Sequence, residues 1–360
     1  MKIIIDAREY GSSTGTYIRN LIKELQKIDF ENTYTLLLKS VDFEACPITN
    51  KNFSKLKCDV KEFTFAEQIK LPYLLYKLKG DLVHFGMIQQ PFLYFKKRVT
   101  TVHDLTTLRF VNPAKNYYIF KFKQLIYWLM LHWVVLTNKH IFTPTNFVKK
   151  DLIKFNSLAK NKTSITYEAA DAEDEKPEVY VPLKNQDFIM FIGRPQPHKN
   201  LRRLIDAFSI LKKSQPELKL ALAGKDDVVM KSHLEYAKKM LIPDVILTGW
   251  ITQGQKVWMY QNCKAYIYPS LSEGFGLPGL EAFQFEAPLV SSNSTCLPEV
   301  YGDAAHYFNP TDVNDMATKI NDVLKSKKLH LSLIEKGKIR LKKFSWSKMA
   351  RETLDKYNAD

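Results

Sequence analysis

Short apolar runs alternate with amphipathic stretches along the chain, and this alternation predicts an α/β protein. The opening run, residues 2–6, is followed by a glycine-containing loop at 11–15, and apolar side chains then repeat with helical spacing over 18–25. A strand, a loop and a helix in this order form the first part of a doubly wound domain. Other short apolar runs predict strands at 34–39, 81–85, 99–102, 188–192, 218–223, 245–247, 265–269 and 289–290, and a further strand that begins at 141.

The length of 360 residues exceeds what one hydrophobic core usually holds, so two domains are expected. Between 171 and 185 the sequence becomes acidic and contains prolines, and it shows no amphipathic repeat. We therefore predict an N-terminal Rossmann-like domain over 1–172, a linker over 173–186 and a second Rossmann-like domain over 187–344.

The segment 116–136 is aromatic and apolar, and it includes Lys121 and Lys123. A long helix in the core of the first domain is the favoured interpretation, because such a helix is apolar on most of its sides. The alternative is an interfacial helix whose aromatic and basic side chains face a membrane.

The composition, with 45% hydrophobic and 25% charged residues, is that of an average soluble protein. No apolar run reaches the ~18 residues that a membrane span requires, and Asp6 interrupts the N-terminal run before the apolar region of a signal peptide could form. We therefore expect a cytoplasmic protein. The four cysteines are scattered without a C-x-x-C pair, which argues against a zinc site or a disulfide framework.

The net charge of +15 is distributed unevenly along the chain. Residues 1–172 contain 26 Lys and Arg against 15 Asp and Glu, so that they carry +11 of the total. A basic surface attracts nucleic acid, anionic lipid headgroups or phosphorylated substrates. None of the common nucleic-acid-binding signatures accompanies the charge, so we expect no nucleic acid partner.

The segment 273–281 has the sequence EGFGLPGLE and lies between a predicted strand and a predicted helix. Glycines let the backbone approach a ligand closely, and the free amides and dipole of a helix start favour an anion such as phosphate. Glu273 and Glu281 would repel phosphate, so they are better suited to accept hydrogen bonds from hydroxyl groups. Phosphate and hydroxyls together indicate a nucleotide sugar, whereas the simpler interpretation is an ordinary glycine-rich loop.

Two cations and one histidine also follow predicted strands, at the edge where open α/β sheets bind their ligands. Arg194 and Lys199 come after the strand that opens the second domain, and together they could neutralise a diphosphate. His103 comes after the strand 99–102. Each of these residues has a plain alternative, a solvated surface pair for the cations and a structural role for the histidine.

Several motifs, in this order along the chain, make it resemble glycosyltransferase family 4, a group of retaining enzymes with the GT-B fold. The resemblance is strongest from 191 to 310. The residues that carry it are the E-x7-E pair Glu273 and Glu281, the G-R-x-x-x-x-K-N segment 193–200, the N-terminal glycine loop 11–15 with 17–21, and the downstream segments 297–300 and 302–305.

The resemblance implies two Rossmann-like domains that face each other across a cleft, with a C-terminal helix over 345–360 that crosses back to the N-terminal domain. It implies that Glu273 holds hydroxyls of the donor sugar, Glu281 the ribose, and Arg194 with Lys199 the diphosphate, while His103 faces the sugar from the other domain. Of these, Glu273, His103, Arg194 and Lys199 are the expected catalytic residues. Further donor-binding residues that it implies are Gly15, Gly193, Trp250, Ile251, Gly274, Phe275, Gly276 and Leu277.

The expected function is therefore metal-independent transfer of mannose or another hexose, with retention, from a nucleotide-diphosphate sugar to a glycan or lipid-linked acceptor. The nucleotide sugar is a co-substrate, and no other cofactor is expected. Rival interpretations are another GT-B enzyme, such as a nucleotide-sugar epimerase, and a non-catalytic basic protein that binds membranes or nucleic acid. We also expect peripheral docking at the inner face of a membrane, through Lys96, Lys97 and Arg98 together with Lys121 and Lys123.

Overall fold

Short segments, most of them buried, form two separate parallel sheets, as expected for strands that helices cover on both faces. The computed structural model describes residues 1–12, 15–111, 117–170 and 175–359. Its backbone divides into a first unit of Met1–Leu108, Lys121–Glu168 and Ser345–Asp360, and a second unit of Arg109–Phe120 and Ala169–Phe344.

The sheet of the first unit has the strand order β3-β2-β1-β4-β5-β6-β7, and neighbouring strands are parallel. The chain reverses its direction of strand addition between β1 and β4. The strands are β1 (Lys2–Asp6), β2 (Thr33–Leu38), β3 (Phe53–Lys57), β4 (Leu82–Phe85), β5 (Arg98–Thr101), β6 (His140–Thr143) and β7 (Thr163–Ile165).

The sheet of the second unit has the order β10-β9-β8-β11-β12-β13, and its strands are likewise parallel. Its switch of direction lies between β8 and β11. The strands are β8 (Phe188–Ile192), β9 (Lys219–Ala223), β10 (Val245–Gly249), β11 (Ala265–Tyr268), β12 (Leu289–Ser292) and β13 (Ala305–Phe308). The predicted fold class, two doubly wound α/β domains, is confirmed.

Helices connect the parallel strands, as such crossovers require. The helices that lie wholly or mainly in the first unit are α1 (Thr16–Ile28), α2 (Phe65–Leu78), α3 (Thr106–Arg109), α4 (Tyr117–Thr137), α5 (Asn146–Phe155) and, at the C-terminus, α13 (Trp346–Asn358). The last residue of α3 and the first four residues of α4 group with the second unit. The other helices of the second unit are α6 (Leu201–Lys212), α7 (Val228–Lys239), α8 (Gln253–Asn262), α9 (Leu277–Gln284), α10 (Leu297–Tyr301), α11 (Val313–Lys325) and α12 (Lys327–Leu341).

The last helix, α13, belongs to the first unit. Its Tyr357 is buried and hydrogen-bonded to Nδ1 of His84, whose Nε2 lies 3.0 Å from the Thr101 hydroxyl. Burial lowers the pKa of His84 to about 3, so this histidine is neutral and can serve the two hydroxyl groups as donor and acceptor. The helix is thus fixed to the middle of the sheet.

The interpretation of 116–136 as a core helix is wrong for most of its length. Only Met130, Leu131, Val134 and Val135 of α4 are buried, and its first half exposes large apolar side chains. By length and composition alone, α4 is the one helix among the described residues that could cross a membrane. Only 22% of its most apolar 18-residue stretch is buried. Residue 116 lies outside the described residues.

The predicted linker begins outside the described residues at 173 and 174. Residues 175–180 form no regular element, and a short 3-10 turn, Val181–Leu183, precedes β8. The residues Ala169–Phe344 group with the second unit. Three strands, β3, β7 and β13, were not predicted from the pattern.

Candidate active site

The strands β8 and β11 are neighbours at the switch point of the second sheet, where open α/β folds place their ligands. Each strand is followed by a loop that carries predicted site residues. The loop after β8 contains Arg194 and Lys199, and the loop after β11 contains Glu273 and leads into α9. The topology therefore brings the two motifs to one edge of one sheet.

Asn200 fixes the loop that follows β8. Its backbone has a φ of 63°, in the left-handed region that asparagine adopts more readily than most residues. Its side-chain amide donates to the carbonyl oxygens of Pro269, at 3.1 Å, and Pro310, at 2.7 Å. These carbonyls follow β11 and β13, so the amide holds the neighbouring Lys199 against the ends of two other strands.

Lys199 and Glu273 form an ion pair at this edge. The Lys199 Nζ lies 2.6 Å from Glu273 Oε1 and 3.2 Å from the Tyr268 hydroxyl, and the two charged side chains are only 15% and 12% exposed. An ammonium group has three N–H donors. Two of them are directed to Glu273 and Tyr268, which leaves one for a ligand.

Glu273 is ionised at neutral pH. Burial raises the pKa of its carboxyl, but the charges of Lys199 and His198 and the hydrogen bond from Lys199 more than offset that effect, so the pKa lies below its ordinary value. The backbone amide of Glu273 donates to the Thr295 hydroxyl at 3.1 Å. The carboxylate is therefore fixed in place as well as charged.

The turn before α9 requires glycine at 276. Gly276 has a φ of 97°, and a Cβ on it would lie 2.3 Å from the hydroxyl oxygen of Tyr301. That hydroxyl donates to the Gly276 carbonyl at 2.6 Å. Leu277 is the first residue of α9, and Pro278 has no N–H. The Gly279 amide donates to the Gly276 carbonyl at 3.1 Å, so the Leu277 amide is the helix-start donor directly after the Glu273 loop.

Glu281 lies in α9, and its carboxylate contacts α8. Its Oε1 is 3.1 Å from the Lys256 ammonium, and the Tyr260 hydroxyl donates to its Oε2 at 3.2 Å. The glutamate is 24% exposed, so an oxygen with further lone pairs can still accept from a ligand hydroxyl. The contact with ribose remains a prediction.

The other predicted donor-binding residues of the second unit differ in exposure. Arg194 is exposed, and so is Trp250, whose indole is 84% accessible. The Gly193 amide donates to the Ala223 carbonyl within the sheet. Ile251 is half-buried and Gly274 is buried, as is Phe275, whose ring packs against Phe344.

Two predicted residues belong to the first unit. Gly15 precedes α1, and a Cβ on it would lie 2.2 Å from the Glu9 carbonyl oxygen, so close backbone packing alone requires glycine there. His103 donates from Nε2 to the Gly86 carbonyl at 3.0 Å, and its Nδ1 lies 3.1 Å from Glu168 Oε1. Both ring nitrogens therefore have partners within the first unit. Ser13 and Thr14 of the predicted glycine loop lie outside the described residues.

The environment of His103 makes folding stability depend on pH. Burial lowers the pKa of the imidazole, but the hydrogen bond and charge of Glu168 and the Gly86 carbonyl more than offset this, so the pKa lies above 6.5. The stabilisation is therefore complete below pH 6.5 and is lost as pH rises through the raised pKa. We expect the free energy of unfolding to fall over that range, and to fall less in His103→Asn, as measured by urea denaturation at several pH values.

The histidines with lowered pKa values change folding stability in the opposite sense, and they do so at pH values below 6.5. Those of His84 and His140 are about 3 and about 4, so their contributions are lost as pH falls from 6.5. A proton NMR titration of His103 separates its effect from theirs. A pKa at or below 6.5 would contradict the assigned hydrogen bonds.

A cleft in the first unit lies at that sheet's switch point, between the ends of β1 and β4. It is open to solvent, and its cavity volume is about 20 Å³. The buried Arg8 guanidinium bonds Asp6 at 2.7 Å and Glu67 at 2.8 Å, and Lys39 pairs with Glu62 at 2.7 Å. The polar side chains that line the cleft are Asp6, Arg8, Glu9, Tyr17, Glu62 and Gln89.

Several site residues were missed in the sequence. Lys256 and Tyr260 are four residues apart, so the helical pattern already placed them on one face, but nothing in the sequence joined that face to Glu281. Tyr268 was treated as part of a buried strand. Glu168 was missed because it lies far along the chain from His103 and carries no motif.

Comparison with known proteins gives one family. The model for glycosyl transferases group 1 matches residues 172–340. The chain is 27% identical to O-antigen chain mannosyltransferase B of Escherichia coli over 275 residues, 73% of this chain and 70% of that protein. It is 29% identical to the serotype-specific mannosyltransferase WbdA of Escherichia coli over 231 residues, which are 60% of this chain but only 28% of WbdA.

The whole chain also resembles a solved structure. Anabaena HepE, in complex with UDP and glucose, has a TM-score of 0.75 at 14% identity, with 100% of this chain and 99% of HepE covered. At this identity the likeness shows the fold. Because the family match and the fold agree, residues 172–340 belong to the group 1 glycosyl transferases of family 4, and the chain has the GT-B fold.

Proposed function

We propose that this glycosyltransferase moves mannose or another hexose, with retention, from a nucleotide-diphosphate sugar to a glycan or lipid-linked acceptor. The observation that carries the proposal is the fixed Lys199–Glu273 pair at the switch point of the unit that the family model matches. A cation suits the diphosphate, and a carboxylate suits the hydroxyls of the sugar.

In this proposal the second unit binds the donor. Arg194, Lys199 and the Leu277 amide at the start of α9 oppose the negative charge that develops on the diphosphate as the glycosidic bond breaks. The exposed Trp250 offers a flat surface to the base, and Glu281 accepts from the ribose. The acceptor hydroxyl attacks the anomeric carbon from the face that the diphosphate leaves, and the departing phosphate accepts the hydroxyl proton, so the configuration is retained without a protein nucleophile.

The acceptor would bind in the first unit. The carboxylates of Asp6, Glu9 and Glu62 outnumber the cations that line the cleft, which disfavours phosphate and favours neutral hydroxyls. The identity of the relatives as O-antigen mannosyltransferases supports a role in cell-surface polysaccharide or glycolipid synthesis.

A thermal shift screen tests the donor assignment. A ligand that binds only the native state raises the melting temperature by mass action. We expect one nucleoside diphosphate, from a panel of UDP, GDP, ADP and dTDP, to raise it well above the others, and inorganic phosphate to have little effect. A panel without any shift at millimolar concentrations would count against the proposal.

A further inference from the structure

The outer side of α2 carries an apolar stripe where a soluble helix would be polar. Its inner side buries Leu71 and Leu75 in the core of the first unit. Phe65, Ile69 and Tyr73 follow one another at four-residue spacing on the other side, and they are 92%, 68% and 71% exposed. The helix therefore has apolar side chains on two sides, and packing in the core accounts only for those on the inner side.

The loop 93–97 extends this stripe. The Tyr76 hydroxyl donates to the Leu93 carbonyl at 3.3 Å and accepts from the Phe95 amide at 3.0 Å. Leu93 and Phe95 are themselves exposed, and the Lys96 ammonium lies 5.9 Å from the centre of the Tyr76 ring. The loop is therefore fixed against α2, with the side chains of Leu93 and Phe95 turned outward.

The outer side of α4 continues the same surface. The Phe95 ring lies 6.1 Å from the ring of Trp133 on α4. Phe122, Leu125 and Leu129, which recur at helical spacing on the Trp133 side of the helix, are exposed. We call the outer side of α2, the loop 93–97 and the outer side of α4 from residue 121 the apolar–basic face.

The charges of the apolar–basic face have one sign. Its acid, Glu67, is buried and bonded to Arg8, and segments 65–78, 93–97 and 121–137 contain no other Asp or Glu. The exposed lysines are Lys70, Lys77, Lys96, Lys97, Lys121 and Lys123. A second copy of the chain would oppose lysine to lysine, whereas anionic lipid complements both the lysines and the aromatic side chains.

Arg98, which the sequence suggested as part of the docking cluster, is not on this face. It is the first residue of the central strand β5, it is 1% exposed, and its guanidinium lies over the Trp133 ring at 5.5 Å. All four residues of β5 are buried, as expected for an inner strand of a parallel sheet that is covered on both faces. Its replacement would disturb the core, so Arg98 is unsuitable for a docking test.

We propose that the apolar–basic face docks on an anionic lipid bilayer, with the exposed rings in the headgroup region and the lysines on lipid phosphates. The proposal rests on the proposed function for its purpose, since docking would bring the first unit to a lipid-linked acceptor. The occupant is the lipid surface itself rather than the acceptor.

Vesicle co-sedimentation of the full chain tests the proposal. Wild-type protein should pellet with vesicles of phosphatidylglycerol and phosphatidylcholine, remain in solution with phosphatidylcholine alone, and dissociate in high salt. Two variants should each weaken binding at least about tenfold. The basic variant changes Lys70, Lys77, Lys96 and Lys97 to Gln, and the apolar variant changes Ile69, Tyr73 and Phe95 to Ser.

Matched controls alter equally exposed residues of the second unit and should bind like wild type. They are Lys213, Lys239, Lys327 and Lys328 changed to Gln, and Val228, Met240 and Leu331 changed to Ser. Circular dichroism melting shows whether each variant is folded.

The proposal would be overturned if the wild-type protein did not pellet with anionic vesicles, or if the control variants lost as much binding as the test variants. Concentration-dependent self-association that the apolar variant abolishes, without vesicle binding, would assign the face to a second copy instead. Vesicle binding needs no donor and the nucleoside diphosphate shift needs no vesicle, so docking and the proposed function can fail separately.

Discussion

Replacement of Glu273 by glutamine is expected to slow nucleoside diphosphate release from the sugar donor at least about 100-fold. Glutamine keeps the shape of the side chain but cannot carry the charge, and the lowered pKa shows that the environment of Glu273 is built for a carboxylate. The amide also leaves the mostly buried Lys199 without its ionic partner, at a stability cost of about 1–3 kcal/mol.

The binding of the product separates this role from a general loss of structure. The nucleoside diphosphate should bind Glu273→Gln within about threefold of wild type, because the removed charge is negative and does not hold phosphate. The matched control is Glu235→Gln, which alters an exposed carboxylate 2.9 Å from Lys238. Near-native turnover in a folded Glu273→Gln protein would contradict the role given to this residue.

Replacement of Lys199 by methionine is expected to weaken nucleoside diphosphate binding at least about tenfold, because a fixed ammonium is removed from the edge where the diphosphate would lie. It also leaves the Glu273 carboxylate largely buried without its cation, which costs stability, since an unpaired buried charge is strongly unfavourable. Titration calorimetry measures the first effect and urea denaturation the second.

Two further variants define what Lys199 contributes. Arg194→Ala should weaken the same binding with little change in stability, because Arg194 is exposed. Lys238→Met removes an exposed lysine that also pairs with a glutamate and should change neither quantity. If Lys199→Met bound the nucleoside diphosphate as tightly as wild type, the lysine would serve only to hold Glu273.

The strands next to the switch points could be predicted from the sequence because they are buried on both faces and therefore apolar throughout. β8, for example, was predicted with the same bounds that the structure shows. The strands β3 and β7 were missed because lysine, serine and threonine interrupt their apolar pattern, as edge strands allow.

The candidate site was predicted where a motif joined residues close in sequence, and missed where contacts depend on packing. Spacing placed Glu273 and Lys199 in loops after two strands, but only the parallel order of β8 and β11 shows that they meet. Exposure was the least predictable property. The charge of Arg98 suggested that it faces solvent, but its position in an inner strand buries it. The apolar sequence of α4 suggested that the helix is buried, but only one side of it packs on the core.

The most direct test of the proposed activity is nucleoside diphosphate release from a panel of UDP-, GDP-, ADP- and dTDP-hexoses, with a bacterial membrane extract as the acceptor source. The expected result is release from one donor by the wild-type protein, dependent on the extract and reduced at least about 100-fold in Glu273→Gln. Absence of release from every donor, or equal release by wild type and Glu273→Gln, would contradict sugar transfer at the Lys199–Glu273 site.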